Sequence, residues 1–132
     1  MMKRVSIAIL ALAVMLFACG CAQTHVSKNA DVVLTFVHEE KNIKVILEEE
    51  EAQKVIAIFD GKEYDPFTLS VPSCGYSPDI SLTVGYRVFG LACDTCNGIL
   101  DYSGLRYFYI PEEDLQYLHS LFEKYGGYFP CV

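Results

Sequence analysis

Cys93-Asp94-Thr95-Cys96 is the stretch of this chain with the most chemical potential. Three chemistries fit the spacing. A dithiol that exchanges with disulfides needs a thiol at a helix N-terminus, where the dipole lowers its pKa, yet Asn97-Gly98 follows here and that pair opens turns. Half of a zinc site needs two more ligands, and Cys74 and Cys131 would have to bring them from far along the chain. Structural disulfides need only an oxidising compartment. Where the protein folds therefore bears directly on which chemistry these residues perform.

Other reactive residue types are scattered. His38 beside Glu39 and Glu40 lies in a charged turn, where solvation accounts for it, and His25 lies in a polar stretch. His119 falls among Leu115, Leu118 and Phe122 at helical spacing, which marks the edge of a packed face instead of a general base. The run Glu48 to Glu51 lacks the alternating oxygen ligands and central Gly of a calcium loop. Gly126-Gly127 follows a helical pattern instead of preceding one, so it is no phosphate cradle. No catalytic residue, cofactor or metal is expected, and the chain reads as non-enzymatic. Its nine tyrosines all lie from Tyr64 onward, with no Trp. Tyr107 and Tyr109 alternate with Phe108 and Ile110, and Tyr102 and Tyr128 flank them in loops. These four are the candidate binding surface for a protein or glycan; their alternative role is to cover the second face of a sheet.

The compartment is read from the N-terminus. Lys3 and Arg4 precede an uncharged apolar run from Val5 to Phe17, which ends in Ala18-Cys19-Gly20-Cys21. Thirteen helical residues rise about 20 Å, short of a ~30 Å hydrocarbon core, so an export signal fits better than a transmembrane helix. These residues resemble the precursors of bacterial lipoproteins, whose lipobox sets apolar and small residues before a cysteine that becomes the lipidated N-terminus. The resemblance implies that Cys21 is acylated, with Cys19 as the alternative register. It further implies a protein held on the outer side of a cell membrane or in the outer membrane. Cysteine parity favours Cys21, because cleavage there leaves four cysteines for the domain, whereas cleavage before Cys19 leaves an odd thiol. Residues 1–20 are thus the signal peptide, 21–30 a lipidated N-terminus and flexible tether, and 31–132 one domain.

The mature part, about 111 residues, is enough for a single core. Loss of Lys3 and Arg4 leaves 8 basic against 17 acidic side chains, a net charge of −9. That excludes nucleic acid and disfavours anionic lipid headgroups as electrostatic partners.

Periodicity supplies the elements that position these residues. Val32–Val37 and Ile43–Leu47 read as strands joined by the five residues His38 to Asn42. Ala52, Val55, Ile56 and Phe59 form the apolar stripe of a helix over 48–60, with Glu at its start and Gly61 after it. Residues 62–78 read as connection. Ile80, Leu82 and Val84, then Phe89, Leu91 and Cys93, alternate around Gly85-Tyr86, which predicts a type II′ hairpin pairing Val84 with Arg87 and Leu82 with Phe89. Residues 94–104 are rich in turn residues, and 105–110 read as a strand. Pro111 and the acidic residues behind it start a second helix, whose stripe is Leu115, Leu118, Phe122 and Tyr125. The expected fold is α+β and two-layered, an antiparallel sheet with two helices packed on one face.

The hairpin register also predicts cysteine pairing. Continued outward, it sets Cys74 near Cys96 and points Cys93 to the core side, where Cys131 returns beyond the second helix, so the pairing expected is Cys74 with Cys96 and Cys93 with Cys131, with the swap Cys74–Cys93 and Cys96–Cys131 and a local Cys93–Cys96 ring as the alternatives. The function expected is a membrane-anchored binding or inhibitory module of the cell envelope. The alternative is an envelope thiol-disulfide or metal-handling protein that uses Cys93 and Cys96.

Overall fold

The computed structural model describes residues 22–66, 75–92 and 96–126. Cys19, Cys21, Cys74, Cys93, Cys131 and Tyr128, and with them the signal, the lipobox and the disulfide pairings, lie outside the described residues. Six strands form one antiparallel sheet: β1 (Val32–His38), β2 (Lys41–Ile46), β3 (Ser81–Val84), β4 (Arg87–Leu91), β5 (Gly98–Asp101) and β6 (Arg106–Tyr109). Their spatial order is β2-β1-β3-β4-β5-β6. The helices are α1 (Glu49–Phe59), which follows edge strand β2, and α2 (Glu112–Gly126), which follows edge strand β6.

Pairing places the apolar side chains on one face. Leu34 opposes Leu82, Leu82 opposes Phe89, Leu91 opposes Ile99, and Ile99 opposes Phe108. Both helices pack on that face: Phe59 of α1 meets Phe89 and Phe108 at ring-centroid distances of 4.8 and 5.8 Å, and Phe122 of α2 meets Phe36 edge-on at 6.2 Å. All five rings are buried, and truncating any of them to Ala costs roughly 3–5 kcal/mol. The fold is the two-layer α+β arrangement.

The hairpin of β3 and β4 has the expected register, with Val84 opposite Arg87 and Leu82 opposite Phe89. Gly85 takes φ 63° while Tyr86 stays at negative φ, as a type II′ turn requires. The first hairpin is tighter than expected. His38 pairs with Lys41, so the connection is two residues long, and both Glu39 and Glu40 are in the left-handed region at φ 49° and 64°. The second difference is β5, a strand inside the stretch that its turn residues mark as loop. Gly98-Ile99-Leu100-Asp101 lies between two neighbours and all four residues are buried, so it lacks the polar alternation by which a half-buried strand is recognised.

The residues from Ala22 to Ala30, expected to be a free tether, lie along the domain. Gln23 bridges to Glu63, Thr24 N–H donates to the Lys62 carbonyl at 2.8 Å, and Gly61 N–H donates to the Thr24 carbonyl at 2.9 Å. The Thr24 hydroxyl is fully buried, donating to the Phe59 carbonyl and accepting from Lys62 N–H at 2.8 Å. Val26 and Ala30 pack against the core. Apolar Val26 and a hydroxyl that caps the C-terminal carbonyls of α1 are among the contacts that hold this strap in place.

Candidate functional site

The outer face of the sheet, away from the helices, changes character from one edge to the other. Over β4, β5 and β6 it is built from glycines and aromatics. Gly90 opposes Leu100, Leu100 opposes Tyr107, and Gly98 opposes Tyr109. The glycines are there for the rings. A Cβ on Gly90 would fall 2.8 Å from Tyr102 Cε2, and one on Gly98 would fall 3.0 Å from the Tyr76 hydroxyl. Tyr76 donates its hydroxyl to the Gly98 carbonyl at 2.8 Å, and its ring lies 5.6 Å from that of Tyr107. Tyr109 stands at the edge, 53% exposed, its hydroxyl 3.3 Å from Asp65 Oδ2.

Three of the four tyrosines expected on a binding surface therefore share one face, with Tyr76 added to them. Tyr107 and Tyr102 are half-buried, so they cover the sheet as well as face outward. Burial, then the Asp65 hydrogen bond and nearby negative groups, raises the pKa of Tyr109. Burial does the same for Tyr102. These two phenols are thus neutral hydrogen-bonding groups on an apolar platform.

Under the other end of β6, on the helix side, is a polar cluster that sequence reasoning missed. Arg87 Nη2 donates to Asp101 Oδ2 and, at 2.6 Å, to the Tyr64 hydroxyl oxygen, which itself donates to the same carboxylate oxygen at 2.5 Å. Ser103 completes the shell through its hydroxyl and N–H, at 2.6 and 3.0 Å from Asp101 Oδ1. Burial alone would raise the Asp101 pKa; the Ser103 and Tyr64 hydrogen bonds and the Arg87 charge outweigh it and hold the carboxyl below its ordinary range. Arg87 also donates to the His25 carbonyl at 2.8 Å, tying the strap to β4. Only one member of it is legible: the hairpin register points Arg87 to the core side, where a part-buried guanidinium calls for a carboxylate, but nothing in the sequence names Asp101 or Tyr64 as its partner.

Beside that cluster an open cavity of about 540 Å³ lies between Ala22, Tyr64, Asp65, Leu105 and Arg106. The Arg106 guanidinium sits 5.5 Å from the centre of the Tyr64 ring. No protein-family profile, curated protein or solved structure matches this chain.

Among the described residues no three His, Cys, Asp or Glu side chains converge as metal ligands. His38 and Glu39 approach only to 3.9 Å at the end of the first hairpin, and His119 is half-buried on α2. Cys96 is half-buried between β4 and β5, with Cys93 outside the described residues. No helix among the described residues is long and apolar enough to cross a membrane.

Proposed function

We propose that the protein is a lipid-anchored binding or inhibitory module of the cell envelope, whose working surface is the tyrosine face over β4 to β6. The observation that carries this is the partly exposed Tyr109 beside Tyr107, Tyr76 and Tyr102 on a sheet face that neither helix covers. Rigid aromatic side chains lose little entropy on binding and combine apolar area with a phenolic hydrogen bond, which suits recognition of a protein surface. The strongly acidic mature chain adds selectivity for basic partners at the rim.

The test uses a photocrosslinking phenylalanine analogue at position 109 in intact cells, with the same analogue at Ala57, exposed on α1, as control. A discrete adduct at 109 and none at 57 is the expected result. Equal patterns at both positions would remove the tyrosine face from consideration. The anchor is tested separately by labelling with a palmitate analogue, which Cys19→Ser and Cys21→Ser together should abolish.

A further inference from the structure

Residues 22 to 30 cross one end of the sheet from edge to interior. At β6 the Ala22 carbonyl accepts from Tyr64 N–H at 3.1 Å; at β4 the His25 carbonyl accepts from Arg87; at the β3–β4 turn Ala30 lies 3.5 Å from the place where a Gly85 Cβ would be. The start of the described chain is therefore fixed at the end that bears the Gly85-Tyr86 turn and the turn from Tyr102 to Leu105. Large apolar side chains are exposed at the same end. Tyr86 is 94% and Leu105 72% exposed, and Ile46, which closes β2 opposite Val33 at this end, is 70% exposed. The opposite end of β1 carries His38, Glu39, Glu40 and Lys41 instead.

Leu105 is unusual in a second respect. A branched side chain is held at φ 49°, a conformation costly for any residue with a Cβ, and no burial compensates for it. Next to it Arg106 is exposed and, among the described residues, forms no ion pair.

We propose that this end of the sheet is seated on the phospholipid surface, with Leu105 and Tyr86 entering the headgroup region and Arg106 bonding lipid phosphate. The inference rests on the acylated N-terminus proposed above. With Cys21 acylated, one peptide unit of about 3.8 Å separates the lipid-bearing residue from the fixed Ala22; with Cys19 acylated the slack is about 11 Å. In neither register does the domain have a free tether to stand away from the bilayer. The net charge of −9 repels anionic lipid, so the contact is one of apolar insertion and a single cation. It needs little intrinsic affinity because the anchor sets a high effective concentration.

The absence of Trp makes each Trp substitution a unique reporter. Full-length acylated protein carrying Leu105→Trp, Tyr86→Trp or Lys41→Trp is reconstituted in phosphatidylcholine vesicles with a fraction of headgroup-nitroxide lipid. Lys41 opens β2 opposite His38, at the far end of the seven-residue strand β1, which spans about 20 Å. Several-fold stronger quenching at positions 105 and 86 than at 41 is expected. Protein that floats with the vesicles but quenches equally at all three positions overturns the seating alone. Protein that fails to float removes the anchor, and the seating with it. Should the strained position reject Trp, Tyr86→Trp decides the matter by itself.

Discussion

Glu39 and Glu40 show how much a single turn can cost. Each sits in the left-handed region, where an ordinary L-residue gives up roughly 1–2 kcal/mol, and neither has the short amide or missing Cβ that relieves it. Replacing the pair by Asn-Gly should keep the His38–Lys41 pairing and raise stability by about 1–2 kcal/mol, visible as a higher denaturation midpoint at unchanged slope. A lower midpoint would mean that the two carboxylates contribute something the geometry does not reveal. The same absence of Asn-Gly explains why the sequence suggests a five-residue loop: without turn chemistry, charge marks the bend but not its length. By contrast Gly85-Tyr86 announces both turn type and register, and Leu82 duly faces Phe89.

Between the helices lies a carboxylate clasp. Glu51 on α1 accepts from Lys124 Nζ and from the Tyr125 hydroxyl on α2, each at 2.5 Å. Burial by itself raises the Glu51 pKa, and these two partners outweigh it, so the folded-state pKa lies below the ordinary 4.5. A carboxyl with a depressed folded pKa adds stability above its unfolded value and loses it as pH falls through the folded one. Glu51→Gln should therefore lower the melting temperature by a few degrees at pH 7, and the gap to wild type should close as the pH is taken below 4.5. A gap that stays constant into acid would show that the clasp works through shape and not charge. Periodicity alone finds α1 and α2 to within a residue or so, because each buries one apolar stripe. It could not find β5, whose burial on both faces erases the pattern, nor the Tyr64–Arg87–Asp101 cluster, whose members are remote in the chain and meet only once the sheet forms.

For the molecule as a whole the strap matters most. A polar stretch without periodicity looks like linker in any sequence, and what docks this one is a buried hydroxyl, the packing of Val26 and Ala30, the Arg87 bond to the His25 carbonyl and a handful of backbone bonds. Thr24→Val keeps the shape and leaves Lys62 N–H without its acceptor, so it should destabilise the domain by about 1–3 kcal/mol. A linker residue would tolerate the change without effect, and thermal melts distinguish the two. Reading the sequence thus recovers the layers and most of the sheet, and the tyrosine face in outline; what it misses depends on distant groups satisfying one another.

The strap also sets how the molecule answers mechanical force. A pull on the chain at Ala22 meets the bonds to Tyr64, Lys62 and Gly61 in sequence, so they peel one at a time. β1 lies between β2 and β3 and is hydrogen-bonded along both sides, so once loaded along its axis its bonds must shear together. Tension therefore first releases nine residues, about 30 Å of reach, and only then strains the sheet.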